Sequence, residues 1–243
     1  MITSTAKSTL EYFVNQIGGT FYLKKSTNPN WKPEYLYTLH IGKSKWEEVS
    51  SVLDFLIEKR SQFELIPSFF KVSKEDKTHI IDQLHERRKS TQDKFSLSYA
   101  CNWPYIAGYL DAEGSLSITR KELHTGRFSY SAHIRVSSTC CAILDYLSLH
   151  LDGCLTHLKS KKLNCKDVYQ WEITNKKVDG VLPKIKPFLQ NKLTQCKELI
   201  KFRKTFLNPV APRSNNFDAF YSHVFPIREL SYFTLKSLNK RGV

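Results

Sequence analysis

The sequence predicts an α+β fold of two pseudo-symmetric subdomains, residues 1–95 and 96–243. Three observations carry this. A short apolar helix, two alternating strands joined as a hairpin and a second apolar helix occur in that order twice, at an offset of about 95 residues. Local echoes keep the same order: GGTFYL beside EGSLSI, LHI beside AHI, and VLDFL beside ILDYL. A polar linker, Arg87 to Asn102, separates the two series.

Each element follows from its pattern. Leu10 to Ile17 reads as a helix entered through Ser8-Thr9 and closed by Gly18-Gly19. Thr20 to Lys24 and Tyr35 to Ile41 alternate as strands around an Asn/Pro-rich turn, Thr27 to Pro33. Helical spacing returns over Trp46 to Lys59 through Val49, Val52, Leu53, Leu56 and Ile57. Only Phe63 to Val72, interrupted by Pro67, precedes the helix Lys77 to Arg88, so a short first sheet is expected.

The second series is longer. A helix ends at Gly114 and strands run Ser115 to Thr119 and Phe128 to Ser137 around the polar turn Lys121 to Arg127, followed by the helix Cys140 to Leu151. Two more strands, Cys154 to Ser160 and Val168 to Thr174, flank a basic turn. Helices are expected over Val178 to Leu189, Leu193 to Phe206, from Asn215-Asn216 through Phe225, and over Ile227 to Asn239.

Composition bounds the partner. A net charge of +14 over 243 residues repels itself unless a polyanion offsets it, and nucleic acid leads that class. No apolar run approaches the ~20 residues that span a bilayer, so no membrane partner is expected. The amino terminus has neither a secretory apolar core nor an Arg-rich transit pattern. Six cysteines without regular spacing read as reduced thiols in an intracellular setting.

One stretch conflicts with simple helix physics. In WPYIAGYLDAEGSLSI the helix ends in Asp111 and Glu113, where acids oppose the macrodipole, and a strand begins at once. Ala107, Gly108 and Ala112 are small, and Gly108 and Ala112 share a helical face that lets a second helix approach closely. The acids then lie at a two-helix seam. There Asp111 accepts hydrogen bonds near the partner helix's end, and Glu113 projects towards the sheet. Carboxylates facing phosphate require a hard divalent cation, Mg²⁺ before others.

IAGYLDAEG resembles the LAGLIDADG motif of homing endonucleases and intron maturases, with Ala107, Gly108, Asp111, Ala112 and Gly114 identical. The element order and PFLQNK, Pro187 to Lys192, extend the resemblance over roughly Leu10 to Gly242. It implies two αββαββα-type subdomains forming a saddle of antiparallel sheets with helices on the opposite face. It also implies metal-assisted phosphodiester hydrolysis, with Mg²⁺ or another divalent cation on Glu113 and Asp111 mainly structural. A basic residue near the scissile phosphate is implied at Lys176 or Lys177.

In the first series the matching stretch is EYFVNQIGG, aligned so that Gly18 stands at the place of Glu113, Gly19 at Gly114 and Gln16 at Asp111. Tyr12, Phe13 and Ile17 replace the small residues. With one carboxylate lost, cleavage of one strand only, or of neither, becomes the expectation. The polar strand faces are expected to read duplex DNA through Lys24, Lys43, Arg120, Arg135, Lys159, Lys161 and Gln170. Two functions compete: an intron-encoded, site-specific DNA endonuclease, and a nuclease-inactive relative that binds intron RNA and assists splicing. The internal echoes favour a monomeric pseudo-dimer, with a homodimer through the intact helix as the alternative. The Lys-, Asn- and Phe-rich composition suggests an A·T-rich genome, organellar or prokaryotic.

Overall fold

The computed structural model describes residues 2–4, 7–24, 34–51, 60–89, 100–160, 166–207 and 217–240. The turn expected from Thr27 to Pro33, residues 52–59 of the expected second helix, residues 90–99, Lys161 and the expected cap at Asn215-Asn216 all lie outside them.

The first series opens with a strand the sequence did not reveal, β1 (Ile2–Ser4), followed by α1 (Lys7–Ile17), β2 (Thr20–Lys24) and β3 (Glu34–Thr38). β3 lies between β1 and β2 in an antiparallel sheet, with Tyr37 opposite both Ile2 and Phe21. Its helix-side face gathers Phe21, Tyr35 and Tyr37 beneath Phe13 of α1. β3 is shorter than its alternation predicts, because the chain bends away to cap α2 (Lys43–Val49) at Gly42. Residues around Pro67 form two short helices, α3 (Arg60–Phe63) and α4 (Ile66–Lys71), where the second series has strands. Pro67 sits in the first turn of α4, where its missing N–H costs nothing. α5 (Lys77–Lys89) follows.

The second series is larger. α6 (Trp103–Glu113) passes without a loop into β4 (Gly114–Glu122), which pairs with β5 (Phe128–Ser138). α7 (Cys141–Leu151), β6 (Cys154–Leu158) and β7 (Val168–Thr174) complete an antiparallel sheet in the order β4-β5-β7-β6. α8 (Lys176–Ile185) runs into a single 3₁₀ turn, Lys186–Phe188, before α9 (Leu193–Leu207).

The last helix corrects an expectation. Pro226 separates two helices in the sequence reading, yet α10 (Phe217–Leu238) is continuous through it. Its apolar side packs on α9 and β4, with Leu235 buried and Asn239 donating to the Leu116 carbonyl at 2.8 Å. That burial outweighs the missing hydrogen bond of one proline.

One core unites the elements of the second series. Leu116, Ile118, Ala132, Ile134, Val136, Trp171 and Ile173 alternate on one side of the second sheet and meet α6, α7, α8 and α9 through Ile106, Leu110, Leu147, Leu182 and Phe202. The sheet's other face is polar. Among the described residues, no helix is long and apolar enough to cross a membrane.

Candidate active site and nucleic-acid interface

α6 is built to deliver its last turn to the sheet. Asn102 caps it by accepting from the Tyr105 amide at 2.9 Å, and the Tyr146 hydroxyl fixes the entry by donating to the Ala100 carbonyl at 3.0 Å. At the other end the Gly114 N–H bonds the Leu110 carbonyl, and a Cβ at Gly114 would come within 2.7 Å of that same oxygen. Only glycine allows helix and strand to join so tightly.

Asp111 is buried, 9% exposed, and its carboxylate accepts three backbone amides: Gln190 at 2.5 Å, Asn191 at 3.2 Å and Lys192 at 2.9 Å. These amides lead into α9. The acid that opposes the dipole of α6 therefore sits at the positive end of α9, which resolves the conflict in the sequence.

Lys192, which sequence reasoning passed over, completes the arrangement. Its ammonium donates to the Asp111 carbonyl oxygen. Burial pushes its pKa below the ordinary lysine value, against the opposing pull of the Asp111 and Glu113 carboxylates. The signal was present in PFLQNK, but nothing local tied its lysine to a motif about eighty residues earlier.

Glu113 differs from Asp111 in burial and in hydrogen bonding. It is exposed, and its carboxylate has no ion pair or hydrogen bond among the described residues. No group of three His, Cys, Asp or Glu side chains gathers to hold a metal among those residues. A single carboxylate still suits Mg²⁺, which keeps its waters and takes phosphate oxygens from a substrate.

The two lysines expected near the site open the helix that follows β7. Lys176 and Lys177 open α8 as exposed residues, and Lys177 reaches Asp152 at 2.5 Å, in the turn between α7 and β6. Asp152 is held below the ordinary aspartate value, first by the Lys177 hydrogen bond and then by the Gly153 amide.

The close seam at Gly108 and Ala112 is also absent among the described residues. Both are exposed, and a Cβ at Gly108 would meet nothing within 4 Å, while Ala107 is fully buried in the core. The first-series counterparts Phe13 and Ile17 are too large for backbone-to-backbone contact, and Phe13 turns to its own sheet against Tyr37.

In the first series α1 ends in two left-handed glycines, Gly18 (φ 75°) and Gly19 (φ 93°). The Tyr37 hydroxyl donates to the Gly18 carbonyl at 2.5 Å, and Gln16 is exposed. An open groove of about 470 Å³ follows, lined by residues that include Thr38, His40, Ser44 and Lys45 and by no acid. The first-series counterpart of Glu113 thus carries no carboxylate, and none lines this groove among the described residues.

The register of the second sheet sorts the predicted DNA contacts. Ser115, Arg135, Glu172 and Cys154 form one row of the polar face. Ser117, His133 and Thr174 form the next, and Ser137, Gln170 and Thr156 flank them. Arg135 and Gln170 are therefore on this face. Arg120 is not: it pairs with Glu229 of α10 at 3.0 Å and lies 3.6 Å over the Phe128 ring, among the helices. The parity of Ile118, two residues earlier, already placed it there. Lys159 is exposed just beyond β6, Lys24 pairs with Glu34 at 3.1 Å at the tip of β2, and Lys43 opens α2 rather than ending a strand.

The fold matches solved proteins. The chain aligns over 100% of its length with 87% of the meganuclease I-SmaMI bound to uncleavable DNA, at a TM-score of 0.67 and 16% identity. It aligns over 99% of its length with 85% of the I-SmaMI LAGLIDADG homing endonuclease bound to cleaved DNA, at a TM-score of 0.64 and 14% identity. The chain has the LAGLIDADG homing endonuclease fold. In that fold α6 carries the LAGLIDADG-like stretch, and α1 is its degenerate counterpart. No family model and no curated protein matches the sequence.

Proposed function

We propose that the chain is a site-specific, intron-encoded DNA endonuclease of the LAGLIDADG type, acting on duplex DNA with a divalent cation and cutting one strand. The supporting observation is the division of labour between two acids. Asp111 is fully engaged in holding the amides before α9, whereas Glu113 is exposed, makes no hydrogen bond or ion pair among the described residues, and stands close enough to the half-buried Lys192 to oppose the lowering of its pKa by burial.

Glu113 would hold the metal through a carboxylate oxygen, and that metal would supply an activated water and charge stabilisation at the leaving oxygen. Asp111 fixes the turn before α9 and with it Lys192. Lys192 places a cation beside the reacting phosphate, where its burial increases the effect of its charge. The polar sheet face supplies hydroxyl, amide and guanidinium donors for the major groove. The first repeat, with Gly18 at the matching position, binds DNA without contributing a carboxylate. We place the division between the repeats near residue 95.

The test is strand-resolved cleavage. Duplexes spanning candidate intron insertion sites, each strand labelled separately, are incubated with the chain and Mg²⁺. Cutting of one strand, abolished by Glu113→Gln, is expected; cutting that survives this substitution removes Glu113 from the chemistry. The missing first-repeat acid also favours a second reading, an RNA-binding splicing factor. Intron RNA binding without cleavage of either DNA strand would support it.

A further inference from the structure

The polar face of the second sheet is rich in serine and threonine, and on it Arg135, Glu172, His133 and Thr119 form a connected network. Arg135 Nε donates to Glu172 Oε1 at 2.6 Å, and the His133 Nδ1–H donates to the same oxygen. Thr119 Oγ1 meets His133 Nε2 at 2.7 Å from the opposite side. The Nδ1 proton cannot serve Glu172 while Nδ1 also accepts from Arg135 Nη2, which stands 3.1 Å away, so the terminal guanidinium nitrogens retain donors unused among the described residues. Burial alone would push the Glu172 carboxyl up, but the hydrogen bonds from His133 and Arg135 outweigh it and hold it below the ordinary value, so it is the charged acceptor.

The network therefore fixes one edge of a planar cation and leaves its other edge facing away. Arg135 has 34% of its side chain exposed, while Glu172 and His133 beneath it have 23% and 11%. It pairs directly with Ser115, two residues after Glu113. A guanidinium held through Nε and free at its terminal nitrogens matches the O6 and N7 acceptors of guanine in the major groove. An ion pair serving only sheet stability would not need the His133 and Thr119 buttress.

We propose that Arg135 reads a guanine close to the cleaved bond, and that Glu172, backed by His133 and Thr119, is the positioning residue that holds it ready. This rests on the DNA-binding reading above. Because Nε is already anchored, less rotamer freedom is lost on contact, which sharpens discrimination at that one base pair.

Duplexes enriched from a randomised library by the intact chain, in Ca²⁺ rather than Mg²⁺, give the preference at every position. Enrichment of guanine at one position is expected, reduced about tenfold or more by Arg135→Ala and severalfold by Glu172→Gln, with all other positions unchanged. Arg135→Gln should move the preference at that position to adenine. Thermal melts of each variant establish that it is folded. Guanine preference that survives Glu172→Gln in a folded protein overturns the positioning role. Preferences at all positions identical in Arg135→Ala overturn the proposal alone, and no enriched sequence for the parent chain overturns the DNA-binding reading with it.

Discussion

Replacing Asp111 by alanine would test whether this acid belongs to the fold. The substitution leaves the amides of Gln190, Asn191 and Lys192 without their acceptor at a position only 9% exposed. Hydrogen bonds to a charged group are worth about 1.5–3 kcal/mol each, and their shared acceptor makes them less than additive. Loss of the charge at the start of α9 removes about 0.3–1 kcal/mol more. Water reaching Gln190, which is exposed, recovers part of this. A net loss of about 3–5 kcal/mol is expected, a large share of the ~5–15 kcal/mol that holds a domain folded. In a chain of this size that lowers Tm by about 6–20 °C. Asp111→Asn, which keeps one acceptor oxygen, should lose about half as much. Urea titrations and thermal melts followed by circular dichroism measure both. If Asp111→Ala unfolds within about 0.5 kcal/mol of the parent, the amides do not depend on the carboxylate and the assignment is refuted.

The other substitutions separate chemistry from folding. Glu113→Gln should abolish cleavage and leave stability within about 0.5 kcal/mol, since the side chain is exposed and makes no hydrogen bond or ion pair among the described residues; a clear drop in Tm would show a folding role. Lys192→Met should slow strand cutting by about 10²–10³, whereas Lys177→Ala should leave the rate unchanged and shift stability by no more than about 1 kcal/mol; the reverse ranking would return the site lysine to α8. Arg203 grips both oxygens of Asp179 at 2.7 and 2.8 Å with 8% and 17% side-chain exposure, so Arg203→Ala should cost about 3–5 kcal/mol in the same melts. Because the Glu172 carboxyl is held below its ordinary value of 4.5, its contribution is full above that pH and lost as pH falls through the folded value. The parent should therefore lose more stability than Glu172→Gln between about pH 5 and pH 3, and parallel pH curves would contradict the network.

What the sequence made legible was local. Alternation located the strands of the second sheet without fixing which side is core, and the glycine at 114 marked the tight junction that its contact with the Leu110 carbonyl requires. What stayed hidden depended on chain segments meeting from afar. Asp111 finds its partners 79 to 81 positions later, and those partners are backbone amides, which no residue letter encodes. β1 is three residues long, too short for any period, and is defined only by its pairing with β3. Pro226 is tolerated inside α10 because of burial that the local pattern does not announce. Arg120 was misplaced although the needed parity lay two residues away.

The separation of the two acids also bears on how such a chain would age. Were cutting to become dispensable, mutation at 113 would meet no resistance from folding, while mutation at 111 would still unseat a long helix. Drift would therefore erase the motif unevenly, removing the ligand first and sparing its buried neighbour. By that measure an intact aspartate says only that the scaffold endures, and under the proposed function the glutamate is the letter that would speak for catalysis.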